Sequence, residues 1–107
     1  MSEQSRWVPV AKAAEVVSGR PKLVEVGNVR IALFKLDDGF HAIEDVCTHD
    51  EGPVAEGPLE GDVIECPRHG AKFNIKTGNV LCMPAITPIR TFPARLRGTE
   101  VELQIEE

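Results

Sequence analysis

Between Val46 and Gly70 the chain reads VCTHDEGPVAEGPLEGDVIECPRHG, and two short loops within this stretch constrain the rest. The first is Cys47-Thr48-His49 and the second is Cys66-Pro67-Arg68-His69, with sixteen residues between His49 and Cys66. Each loop offers one thiol and one imidazole on a Gly/Pro-rich turn. Two matched pairs of such donors read as a metal site, and two centres suit the donor types. One is a tetrahedral zinc ion held by two Cys and two His. The other is a two-iron, two-sulfide cluster in which two imidazoles replace two thiolates on one iron. Common zinc signatures place their two Cys together and their two His together, which weighs against zinc.

The rest of the chain supplies a β framework for these loops. Residues 7–10 read as a short strand, placed at a sheet edge by Pro9. Trp7 reads as a packing residue. Residues 11–17 are Ala-rich and suggest a short helix ending at Ser18-Gly19. Strands are expected over 21–26, 29–36 and 40–44, joined by turns at Gly27-Asn28 and Asp37-Asp38-Gly39. The 29–36 segment is apolar on both faces and therefore central. His41 reads as an ordinary strand residue rather than a third imidazole ligand.

Further strands are expected over 63–65, 71–75 and 80–81, with Thr77-Gly78 as a turn and 84–88 as a loop. The 89–97 strand is interrupted by Pro93. Residues 100–106 alternate, with Val101, Leu103 and Ile105 on one face. Many short strands punctuated by turns give an all-β sandwich or barrel-like fold.

With 107 residues there is room for one domain. Seventeen acidic residues against twelve basic ones give a net charge of -5, which argues against nucleic acid or an anionic membrane as partner. The imbalance is local: residues 37–65 hold ten acids and no Lys or Arg, and Arg68, Lys72 and Lys76 follow. Such a run is commonly a solvated face, but here it brackets the two loops and suits a partner with a basic face. The first twenty residues hold no long apolar run, so neither a signal peptide nor a transmembrane helix is expected, and a cytoplasmic location is. Cys82, the third cysteine, reads as a small buried hydrophobe rather than an alternative ligand. No intramolecular disulfide is expected.

The C-x-H, sixteen residues, C-x-x-H pattern resembles the Rieske family. The likeness continues through Gly70-Ala71-Lys72-Phe73-Asn74, Thr77-Gly78 and the segment around Pro84, and covers nearly the whole chain. It implies one 2Fe–2S cluster per chain, with Cys47 and Cys66 on one iron and His49 and His69 on the other through Nδ1. It also implies a single domain, 1–107, of Rieske-type antiparallel β architecture. A base (1–44 and 83–107) would carry a small inserted cluster-binding subdomain over about 45–82. Pro84 would lie in the loop that covers the cluster. Gly52, Gly57 and Gly70 would let backbone N–H groups approach the sulfides, although Gly57 reads equally well as a plain turn residue.

Two departures place the chain with the low-potential members. Gly52 and Arg68 stand where respiratory relatives carry an extra cysteine in each loop, so no inter-loop disulfide can form. Ala71 follows the His-Gly pair, and the chain has no Tyr. The implied function is a ferredoxin, not itself an enzyme, that carries single electrons from a flavin-dependent reductase to a terminal, aromatic-ring oxygenase. The alternatives are a small subunit of a redox enzyme such as a nitrite reductase, and a zinc-stabilised interaction module.

Overall fold

Two apolar cores divide the side chains of one central strand between them. In the computed structural model, which describes residues 5–48, 52–68, 70–83 and 87–106, this strand is β3 (Val29–Leu36). Its residues Ile31, Leu33, Ala32 and Phe34 are all buried. Ile31 and Leu33 pack with Val16, Ala42, Phe92, Val101 and Leu103. Ala32 and Phe34 point the other way and pack with Ile43, Val54, Ile64, Phe73 and Ile75. Alternation along a strand sends successive side chains to opposite faces, so a strand flanked by two cores is apolar throughout. Burial of each large side chain contributes roughly 1.5–3 kcal/mol.

β3 lies inside a four-stranded antiparallel sheet of order β2-β3-β4-β9, with β2 at Lys22–Val26, β4 at Gly39–Glu44 and β9 at Thr91–Phe92. The turns between these strands fall where Gly27 and Gly39 take positive φ. A second sheet, order β1-β11-β10, joins β1 (Ser5–Lys12), β11 (Glu100–Glu106) and β10 (Ala94–Arg97). Pro93 separates β9 from β10 and passes the chain from one sheet to the other. Its carbonyl accepts from the Gln104 N–H at 2.9 Å. Pro9 sits on the edge strand β1, where pairing with β11 slips between Pro9 and Ala11. Trp7 packs under the guanidinium of Arg95, 4.0 Å from its ring centroid.

The helix expected over 11–17 does not form. Ala11 and Lys12 stay in β1, paired with Val101 and Glu100, and only Ala13–Glu15 curls into a single 3-10 turn. A segment this short gains too little from helical hydrogen bonds to nucleate one. The strand alternative packs Val10 and Ala11, both partly buried, against the second core. All other regular elements among the described residues are strands, as an all-β fold requires.

A third sheet, order β5-β6-β7-β8, holds β5 (Leu59–Glu60), β6 (Val63–Glu65), β7 (Lys72–Asn74) and β8 (Val80–Cys82). The chain leaves the central sheet after β4, builds this third sheet, and returns as β9 to pair beside β4, Ala42 against Phe92 and Ile43 against Thr91. β5 is two residues long and was not foreseen from the sequence. Gly78 makes the return possible. Its φ is +80°, and a Cβ there would overlap the Ile89 carbonyl oxygen, which lies next to the Ile89 N–H to Gly78 carbonyl bond of 2.9 Å.

Candidate metal centre

The first ligand loop starts where β4 ends. Asp45 is buried, 4% exposed, and its Oδ1 accepts two backbone N–H groups from across the loop, Val54 at 3.0 Å and Ala55 at 2.8 Å. Inside this span the Cys47 N–H donates to the Gly52 carbonyl at 2.7 Å. These bonds fold an irregular stretch back on itself and turn Cys47 inward, fully buried. The Thr48 hydroxyl donates to the Thr87 carbonyl at 2.6 Å, joining this loop to the segment that precedes β9.

The second loop leaves β6, which delivers Cys66 into the core at 1% exposure. The Cys66 N–H donates to the Ala71 carbonyl at 2.7 Å and the Gly70 N–H to the Cys66 carbonyl at 3.1 Å. Gly70, with φ +83°, makes that tight closure without strain. Just before Cys66, the Glu65 N–H donates to the Pro58 carbonyl at 3.0 Å and extends the pairing of β5 with β6. Gly57 lies against the same strand, and a Cβ on it would overlap the Glu65 carbonyl oxygen. Gly57 therefore has a packing reason that neither of its sequence readings named.

Cys47 and Cys66 come from strands and loops nineteen positions apart and share one buried cluster with Phe34, Ile43, Val54, Ile64, Ala71 and Phe73. No disulfide joins any pair of the three cysteines. His49 and His69, expected as the imidazole donors, lie outside the described residues, as does Pro84. Among the described residues no group of three His, Cys, Asp or Glu side chains is gathered as a metal site.

Cys82 corrects an expectation, for it is exposed rather than buried. β8 is the edge of its sheet. Val80 packs inward, but the register slips between Lys72 and Phe73, so that Cys82 stands opposite the exposed Lys72 instead of following Val80 into the core. Leu81 and Met83 beside it are 52% and 75% exposed.

The acidic run divides into different roles. Asp45 is structural and does not face solvent. Asp37 and Asp38 hold Lys76, whose Nζ lies 3.2 Å and 3.4 Å from them, and this links the β3–β4 turn to the turn after β7. His41 sits in β4 with Nε2 2.7 Å from Asp38 Oδ1. The hydrogen bond from His41, helped by Lys76, holds the Asp38 carboxyl below its ordinary range. The bond to Asp37 raises the Lys76 ammonium above its own. Glu56 and Glu60 are exposed. The roles of Asp45 and Thr48 were not read from the sequence. The signal for Asp45 was there: a short carboxylate side chain entering an irregular loop, where such groups bind nearby backbone N–H groups.

The structure is that of an all-β protein with two buried, unbridged thiols in one apolar core, each on a tightly closed loop. Comparison with known proteins specifies the class further. Residues 6–93 match the Rieske [2Fe-2S] domain, and the chain belongs to that family. It is 39% identical over 95 residues to the 3-phenylpropionate/cinnamic acid dioxygenase ferredoxin subunit of Shigella boydii serotype 4 (strain Sb227), covering 88% of this chain and 89% of that protein. It is 38% identical over 96 residues to Ferredoxin CarAc of Metapseudomonas resinovorans, covering 89% and 90%. Its fold superimposes with a TM-score of 0.83, at 38% identity and 91% coverage of both chains, on a chain of the complex of reduced oxygenase and oxidized ferredoxin in carbazole 1,9a-dioxygenase.

Family membership sets the zinc alternative aside and gives the protein one 2Fe–2S cluster. The donors in view fit it: Cys47 and Cys66 are buried together, unbridged, where thiolates would be shielded from solvent. Among the described residues no helix is long and apolar enough to cross a membrane.

Proposed function

We propose that this protein is a one-electron carrier that takes electrons from a flavin-dependent reductase and delivers them to a terminal, aromatic-ring oxygenase. The observation that carries this reading is near-full-length likeness to ferredoxin subunits of dioxygenases, about nine-tenths of each chain. In these systems the ferredoxin is a component apart from the oxygenase, so this chain is a carrier and not the catalyst. Its cluster supplies reversible one-electron exchange. The chain holds it with Cys47 and Cys66 as thiolates and His49 and His69 as imidazoles, with residues of about 45–82 forming the cluster-binding subdomain. Burial of Cys47 and Cys66 keeps water from the thiolate side. The histidines form the surface through which electrons enter and leave. Exposed acids such as Glu56 and Glu60 face a basic partner, and the protein works in the cytoplasm.

Reconstitution tests this. NADH, a flavin-dependent ferredoxin reductase and the terminal oxygenase of a carbazole or phenylpropionate dioxygenase should form hydroxylated product only when this protein is added. Reduction should slow as salt rises from about 0.05 to 0.5 M, because exposed charges are screened beyond roughly 10 Å at 0.1 M. Cluster-loaded, reduced protein that no such oxygenase reoxidises would overturn the reading.

A further inference from the structure

Asp45 is the one buried charged side chain among the described residues. Among the described residues no ion pair is made to it. Its Oδ1 instead gathers the N–H groups of Val54 and Ala55, two residues that themselves lie in the core with Cys47 and Cys66. Its own N–H is held by the Arg30 carbonyl at 2.8 Å, so the carboxylate is anchored to β3 at one end and to the far side of the first ligand loop at the other. Between those anchors none of the described residues lies in a strand or helix.

We propose that Asp45 is a positioning residue for the cluster. Its carboxyl group fixes the first ligand loop so that Cys47 is presented ready-placed. This rests on the cluster assignment above but not on any partner. Groups that orient a metal's ligands from one step away typically account for 10–100-fold in metal affinity.

Three full-length variants, each reconstituted with iron and sulfide, test it. Asp45→Ala removes the acceptor and should lose iron to a chelator at least about tenfold faster than the parent. Asp45→Asn keeps an Oδ1 acceptor for both N–H groups. It should hold its cluster with the parent's visible circular dichroism and release iron at nearly the parent's rate. Glu56→Gln alters an exposed position just beyond the loop and should also release iron at the parent's rate. If the alanine variant fails to fold, the asparagine variant alone decides, against the parent and Glu56→Gln. Iron release from Asp45→Asn as fast as from Asp45→Ala, or about tenfold faster than from Glu56→Gln, would overturn the proposal. Loss of partner turnover with the cluster unchanged would instead count against the oxygenase role.

Discussion

The Thr48 hydroxyl donates a 2.6 Å hydrogen bond to the Thr87 carbonyl, 39 residues away in sequence. Thr48 sits between Cys47 and His49, and Thr87 lies in the segment before β9, so a single bond joins the first ligand loop to that segment. Thr48→Val keeps the side chain's size and removes its donor. A net loss of about 0.5–1.5 kcal/mol is expected for such a bond. The first ligand loop should open more often, and the visible absorption should bleach a few-fold faster in chelator, with the cluster still assembled. Bleaching at the parent rate would show that the bond does not hold the loop.

Burial separates the three cysteines. Cys47 and Cys66 are at 0% and 1% exposure in one core, while Cys82 is exposed on an edge strand. Cys66→Ser should therefore abolish the cluster or damage it badly, and Cys82→Ser should retain two irons and two sulfides per chain. Iron and sulfide analysis of the two proteins decides. Loss of visible absorption in the Cys82 variant would overturn the ligand assignment.

How far the sequence reveals this arrangement depends on what kind of interaction sets each part. Metal chemistry demands particular donors, so Cys47, His49, Cys66 and His69 stand out by type and spacing alone. Period-two alternation announced β11, and the unbroken apolar run announced β3 as central. The elements that were misread are those settled by tertiary contacts. Residues 11–17 look helical by composition, but partners on β11 and the packing of Ala11 hold the chain extended to Lys12. β5 is too short to show any period. The exposure of Cys82 follows from a register slip that no local pattern encodes. Asp45 was counted with an acidic surface because its burial depends on where residues 54 and 55 return.

Gly57 meets the strand that carries Cys66. A methyl group there would overlap the Glu65 carbonyl oxygen and press on Pro67 Cδ at 3.0 Å, and backbone cannot move aside cheaply. Gly57→Ala should destabilise by more than about 3 kcal/mol and disturb the cluster's spectrum, as overpacking of a close approach does. Gly98 provides the contrast. Its φ is +63° and nothing lies within 4 Å of a Cβ, so Gly98→Ala should cost only about 1–2 kcal/mol of left-handed strain and leave the spectrum unchanged. Thermal melts and visible spectra of both variants check this.

Lys76 joins the β3–β4 turn to the third sheet, and its pH dependence has a definite sign. Asp38 titrates below its ordinary 3.8 in the folded protein, so its contribution is present above 3.8 and is lost as pH falls through the depressed value. Lys76 titrates above its ordinary 10.5, so its contribution is full below 10.5 and is lost as pH rises through the raised value. Lys76→Met should lower the melting temperature slightly across the middle of the pH range. The gap from the parent should close at both ends. The pair is solvent-exposed, so the gap should also shrink in high salt. A gap independent of pH would assign the effect to lost packing.

The midpoint potential follows from what surrounds the thiols. Rieske centres span about -150 to +300 mV, and hydroxyl donors near the cluster favour the more negative, reduced form. Here Ala71 is fully buried directly after the second ligand loop, its carbonyl already engaged by the Cys66 N–H, and its side chain has nothing to donate. The chain contains no Tyr. Gly52 and Arg68 exclude an inter-loop disulfide. All three point downward, so voltammetry near pH 7 should give a midpoint below zero, toward the lower end of that span. Ala71→Ser restores one hydroxyl in nearly the same volume and should raise the value. A parent midpoint well above zero would remove the match to an oxygenase donor and indicate a respiratory-type one. A serine variant no higher than the parent would mean that the side chain at this position does not reach the cluster's hydrogen-bonding shell.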